Sequence, residues 1–254
     1  MSCQLVRWIA LVLLGAVLSG CGKKQQPEPQ LLLLCAAGMR EPVSKIVREF
    51  ENESGIAVDI QLAGSGTLLA MMEQVRADLY LAADRGYIEE ASQRGFVISR
   101  HSIGAQSPVL AWNSGKNLEV ANLSEWVRTA RYPGIAIPET AVIGKVTEEV
   151  MKEAGVWSEL KPHAEFVTVY ELANAIRLGS VDSGIVWDNV ANGIDGITVN
   201  QLPETAEIVS EVEVAVLVSS RFLGAATQLA EFMAEGGNGR SHFENHGLRM
   251  EGAP

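Results

Sequence analysis

No run of basic residues stands out in these 254 residues, and the formal charge is −11. That sets nucleic acid aside as a partner, because phosphate backbones are met by clustered Lys and Arg. Internal repeats and low-complexity tracts are also missing, which excludes a solenoid or a largely disordered chain. Cysteine is scarce, at three residues, so no framework of disulfides can staple the fold. The apolar stretch at residues 8–18 falls short of the roughly 20 residues that a membrane-spanning helix needs.

What is present describes a globular chain. Hydrophobic residues make up 47% and charged residues 20%, enough for a sizeable core in one large or two small domains. Residues 1–20 read as a targeting segment: Arg7, a short apolar core, then Leu18-Ser19-Gly20-Cys21. This ending looks like a lipoprotein signal, with cleavage before Cys21 and diacylglycerol on its thiol. Residues 21–30 are polar and carry Pro27 and Pro29, as a tether would. Cys3 then leaves with the signal and Cys21 is acylated. Cys35, at the end of an apolar run, reads as a buried, inert thiol rather than a nucleophile.

From Leu31 onward short apolar runs alternate with amphipathic stretches. Residues 31–35 are continuously apolar, as in a strand covered on both faces. Val43, Ile46, Val47 and Phe50 then recur at helical spacing, and Gly55 suits the helix end. The alternation continues with strands expected at 58–62, 79–83, 109–113, 135–137, 165–167 and 183–187. The helices between them are expected at 68–75, 87–94, 124–129, 144–154 and 169–178. A βαβαβ order of this kind implies parallel sheets with helices on both faces. Two places break the rhythm, around Ala105–Pro108 and at the late strand 211–218, which is followed by helices at 223–234 and 239–246. The reading is α/β: two doubly wound lobes joined by a two-crossing hinge. Lobe 1 takes residues 31–106 and 212–254, and lobe 2 takes residues 107–211.

Ligands of open α/β sheets bind beyond the carboxyl ends of strands, where helices begin. Four such junctions are built from small residues: Ala36-Ala37-Gly38, Gly64-Ser65-Gly66, Ala141-Val142-Ile143-Gly144 and Thr168-Val169. Each offers unpaired N–H groups at the positive end of a helix dipole, which holds anions without any cationic side chain. Ser65 on its own is equally a helix cap. Catalysis by Ser65 finds little support, since Ala63 stands where a nucleophile elbow needs glycine and no histidine sits at a junction. The chain reads as a binding protein and not an enzyme. His242 and His246 share a helix face, but no third metal ligand is evident. Asp78 suits a strand edge better than an anion site.

The segments CAAGMREPVSKIVREFENESGIAV, AGSGTLL, RADLYLAAD, AVIGKVTEEVMKEAGVW and ELANAIRLGSVDSGIVWD together resemble the periplasmic molybdate-binding proteins of ABC importers. The resemblance implies the type II periplasmic binding protein fold. It also implies an oxyanion held by two serines, two main-chain N–H groups and a tyrosine hydroxyl. Carried over, the second serine is Ser65, and the N–H groups belong to Ile143 (or Val142, one residue earlier) and Val169. Gly38 stands in place of the first serine and Trp187 in place of the tyrosine. Gly38 keeps its N–H, and the Trp187 indole can donate one bond and accept none. Trp187 can equally be a core residue. Arg40 can compensate with a charge-assisted bond or simply be solvated.

The expected function is capture of a tetrahedral oxyanion, molybdate or tungstate, by a lipid-anchored component of an ABC importer. Its expected partners are a permease and ATPase complex and, through Cys21, the membrane. The chain is expected to be monomeric and to sit in the cell envelope, facing the periplasm or the outside. No cofactor and no protein-coordinated metal cation is called for. Sulfate, phosphate or a small carboxylate are the alternative ligands, and Asp188 is the one residue that can accept a hydrogen bond from protonated phosphate.

Overall fold

The apolar run that opens the folded chain lies inside a sheet with two buried faces. A computed structural model describes residues 30–234 and 238–250, so the targeting segment, Cys21 and nearly all of the tether lie outside the described residues. Strand β1 (Gln30–Ala36) pairs in parallel with β2 (Ala57–Ala63) on one side and β3 (Leu79–Ala82) on the other. Successive side chains of a strand point to opposite faces. Leu31, Leu33 and Cys35 accordingly enter the main core, while Leu34 enters a second cluster with Leu68, Tyr80 and Ile88. A run apolar at every position is what burial on both faces requires.

The first sheet is completed by β4 (Val97–Gln106) and β10 (Ser210–Leu217), in the order β2-β1-β3-β10-β4. Strand β10 runs antiparallel to both its neighbours. The second assembly contains β5 (Pro108–Asn113), β6 (Gly134–Ala136), β7 (Ala164–Phe166), β8 (Ser183–Trp187) and β9 (Ile197–Asn200). Strand β5 pairs antiparallel with β8 and β9, β6 pairs in parallel with β7, and a Pro133–Ser183 bridge links the two groups. The resulting row, β7-β6-β8-β5-β9, repeats the arrangement of the first sheet. In each, the strand that arrives from the other half, β10 or β5, is the antiparallel one.

The expectation of parallel sheets is therefore corrected: both sheets are mixed. A strand that crosses over from the other half enters from the opposite end of the sheet, and its direction leaves no mark in hydrophobic periodicity. The two-lobe α/β expectation holds, and strands β4 and β9 are additions to it.

The helices, in chain order, are α1 (Arg40–Ser54), α2 (Ser65–Met71), α3 (Arg85–Gln93), α4 (Leu123–Thr129), α5 (Val142–Glu153), α6 (Val169–Leu178), α7 (Asp188–Asn192), α8 (Leu223–Ala234) and α9 (Asn238–Asn245). Helix α1 follows a short 3-10 turn at Ala37–Met39 and buries Val43, Ile46, Val47 and Phe50. It ends at Gly55, whose φ of 73° lets its N–H turn back to the Glu51 carbonyl, a conformation costly for any residue with a Cβ. After α9 the chain returns to the crossing, where Arg249 and Ala105 exchange backbone hydrogen bonds.

Candidate functional site

The strand-end junctions meet in one small cavity between the two sheets. It is lined by Ala36, Ala37 and Gly38 after β1, Gly64 and Ser65 after β2, and Ala83 after β3. From the other half come Ala141, Val142 and Ile143 at the start of α5, Thr168 and Val169 at the start of α6, and Trp187 at the end of β8. The space is about 270 Å³, counting solvent at its mouth. Only about 20 Å³ of it is open to the centre of a water-sized molecule, so the cavity suits a very small occupant. Not one lining residue is charged.

Several helix starts around the cavity lack a side-chain cap, as does Leu202 before the 3-10 turn at Pro203–Thr205. Asp84, next to the lining residue Ala83, and Asn122 precede α3 and α4, and each accepts a first-turn N–H through the side chain. Ala36, Gly64 and Ala141, which precede the 3-10 turn at Ala37–Met39, α2 and α5 beside the cavity, make no such bond. At α6 a capping box operates: Thr168 Oγ1 accepts the Glu171 N–H, and the Glu171 carboxylate accepts the N–H groups of Thr168 and Val167. The N–H groups of Val169 and Tyr170 stand outside both bonds. First-turn N–H groups have no acceptor one turn back within their helix, so at this cavity most remain as donors, while the Gly144 N–H turns back to the Ala141 carbonyl at 3.0 Å.

Ser65 is buried, and its Oγ accepts the Ala83 N–H at 3.1 Å. The Tyr80 hydroxyl donates to the Ser65 carbonyl at 2.8 Å. Burial above all raises the Tyr80 phenol well above its ordinary value, which keeps it a donor. A neutral hydroxyl is thus fixed at the wall of a cavity ringed by peptide N–H groups. Such an arrangement is chemically suited to an anion, whose charge meets dipoles alone.

Gly38, Ser65, Ile143, Val169 and Trp187 are brought together here, and Val142 lines the cavity beside Ile143. Trp187 is both core and lining, with 1% of its surface exposed. Arg40 is not among the lining residues: its guanidinium stands 5.8 Å from the centre of the Tyr170 ring, and the Tyr170 hydroxyl donates to Glu41 at 3.4 Å. Asp188 also points elsewhere. Its Oδ1 accepts the N–H groups of Ser107 and Asn189, and Arg249 lies 4.0 Å from Oδ2. Burial raises the Asp188 carboxyl, against the lowering effect of those partners. Asp188 thus belongs to the crossing between the lobes. Cys35 is buried, and burial pushes its thiol upward. His242 pairs with Glu49 at 2.9 Å, and no group of three or more metal-ligating side chains exists among the described residues.

Sequence reasoning missed two neighbours of the cavity. Ala83 lines it, and its position at the end of β3 was a signal of the same kind as the junctions that were read. Val190, in α7, comes close to Gly38, and nothing in sequence spacing points to it.

Comparison with known proteins agrees with this architecture. A relative from Haemophilus influenzae, whose name assigns it no ligand, is 28% identical over 222 residues, covering 86% of this chain and 90% of that one. The Escherichia coli molybdate-binding protein ModA is 24% identical over 225 residues, 83% of this chain and 86% of its own. The periplasmic molybdate-binding protein of Azotobacter vinelandii shares the fold with a TM-score of 0.74 at 18% identity, covering 87% of this chain and 99% of that chain. Other structures with this fold include binding proteins for sulfate and thiamin and an iron-bound protein, so the fold does not choose the ligand. The family described as bacterial extracellular solute-binding protein matches residues 31–249, nearly the whole of both lobes, and the chain belongs to that family.

Proposed function

We propose that this solute-binding protein captures a fully deprotonated tetrahedral oxyanion, molybdate or tungstate ahead of sulfate, and delivers it to an ABC permease and ATPase complex. The observation that carries the reading is a cavity ringed by helix starts from both lobes and lined by no charged side chain. Helix starts at the cavity forgo side-chain caps, except for a capping box that spares two N–H groups, and no carboxylate faces inward. Gly38, Ser65, Ile143, Val169 and Trp187 are the proposed contacts, with Val142 beside them. Lobe 1 is drawn at 31–106 with 212–254 and lobe 2 at 107–211, so the contacts come from both lobes. A lipid on Cys21 would hold the protein at the membrane as a monomer.

A dianion gives up strong hydration on entering, so nearly every oxygen must receive a hydrogen bond. Bonds to a charged group contribute about 1.5–3 kcal/mol each. Roughly five or six can offset the cost of association and leave micromolar affinity, about −8 kcal/mol. Protonated phosphate also needs an acceptor. Asp188, the residue the sequence offered for that task, is engaged at the crossing, which favours ions that only accept.

Calorimetry with molybdate, tungstate, sulfate and phosphate tests the reading. Micromolar binding of the first two, with phosphate weakest, is expected. Binding of none of the four would end the oxyanion reading and leave the family assignment standing.

A further inference from the structure

Gly64 precedes α2 with φ −67° and ψ 149°, an extended conformation open to any L-residue. Nothing in its own backbone requires glycine. Its neighbours do. A Cβ at this position would fall 1.7 Å from the Thr140 carbonyl oxygen and 2.8 Å from its carbon, with the Ala141 Cα next at 3.6 Å. All three atoms belong to the segment that leads into α5, across the cavity from β2. Without a side chain, Gly64 lets its main chain lie directly against the Thr140 carbonyl.

The Thr140 carbonyl cannot step aside. Its own N–H bonds to Ile137 O at 3.1 Å, its Oγ1 donates to Val167 O at 3.0 Å, and the Ala141 N–H bonds to Ile137 O at 3.0 Å. The peptide against Gly64 is thus pinned inside lobe 2, while Gly64 is carried by β2 in lobe 1.

We propose that Gly64 sets how far the two lobes close. Its missing side chain lets Ser65, one residue on, reach the same ion as the N–H groups of α5. Any Cβ at position 64 acts as a wedge between the lobes and leaves each lobe's own packing untouched. This inference rests on the proposed function: a ligand held by contacts from both lobes favours their closed arrangement.

The test compares the unmutated protein with Gly64→Ala by small-angle scattering and calorimetry, using sodium molybdate, tungstate, sulfate and phosphate, with thermal unfolding of the anion-free proteins alongside. The expected result is compaction of the unmutated protein on binding, none in Gly64→Ala, affinity lower by about a hundredfold or more, and cooperative anion-free unfolding in both. Equal affinity and equal compaction of the two proteins overturn the proposal and leave the binding function intact. Loss of cooperative unfolding in anion-free Gly64→Ala also overturns it, because the glycine would then serve its own lobe. If the unmutated protein neither binds nor compacts with any of the four anions, the oxyanion reading and the proposal fall together, an outcome distinct from equal binding and equal compaction of the two proteins.

Discussion

Ser65 Oγ accepts the N–H of Ala83 at 3.1 Å, tying the first residue of α2 to the end of β3. That bond occupies a lone pair and leaves the hydroxyl hydrogen free for a ligand. Ser65→Ala should therefore lose two things at once. Binding should weaken by about 1.5–3 kcal/mol, on the order of tenfold to a hundredfold. The anion-free protein should lose about 1–3 kcal/mol of stability, because the Ala83 N–H is left without its partner. Calorimetry and denaturant unfolding read the two losses separately.

Placing at position 38 the serine that the resemblance to molybdate-binding proteins implies should not strengthen binding by itself. A Cβ on Gly38 would meet Val169 Cγ1 at 3.2 Å and Val190 Cγ2 at 3.3 Å, so even the first added carbon is crowded by two methyl groups. Gly38→Ser should weaken molybdate binding, and Gly38→Ser with Val190→Ala should recover it. Calorimetry on the pair checks this, and gain of affinity by the single variant would show that the valines move away at no cost.

The contrast between Gly38 and Val190 marks what sequence can and cannot tell. Alternation along 31–35 and helical spacing at Val43, Ile46, Val47 and Phe50 identified β1 and α1, because burial on one or two faces leaves a periodic trace. The antiparallel course of β5 and β10 leaves none. Strand β4 interleaves Ser99, Arg100, His101 and Gly104 among its apolar residues, and β9 spans only Ile197–Asn200, so neither carries a strong pattern. The strand-end rule located Gly38, Ser65, Ile143 and Val169. The direction of a side chain such as Asp188 or Arg40 depends on partners far away in sequence, Ser107 and Tyr170.

His246 gives a pH dependence with a definite sign. Burial, above all, lowers this imidazole from its ordinary value near 6.5, with Glu41 opposing and Lys45 assisting. A group depressed in the folded state stabilises fully above its unfolded pKa and loses that contribution as pH falls through the folded value. Asp188 and Glu213 act with the opposite sign. Burial raises both, so their contribution is full below their ordinary values near 3.8 and 4.5 and fades as pH rises through the raised ones. Stability should therefore decline as pH falls below about 6.5, and His246→Phe should flatten that decline. Thermal midpoints between pH 7.5 and 5 measure it, and parallel curves for both proteins would locate the effect elsewhere.

Attachment to the membrane should depend on one thiol. Cys21 follows Leu18-Ser19-Gly20, and Cys21→Ala should move the protein from the membrane fraction to the soluble one while its far-ultraviolet dichroism stays the same. Continued fatty-acid labelling of the Cys21→Ala protein would place the anchor at another residue.

The uncapped helix starts have a consequence for how such a site changes over generations. A peptide N–H is present whatever the side chain, proline excepted, so point mutation cannot delete most of these donors one by one. Of the proposed contacts only Ser65 and Trp187 bring a donor on a side chain. Variation at Gly38, Val169 or Val190 would alter the shape of the cavity and leave the number of its main-chain donors constant. Descendants of this chain can therefore drift among ions of different size while keeping the capacity to hold an anion.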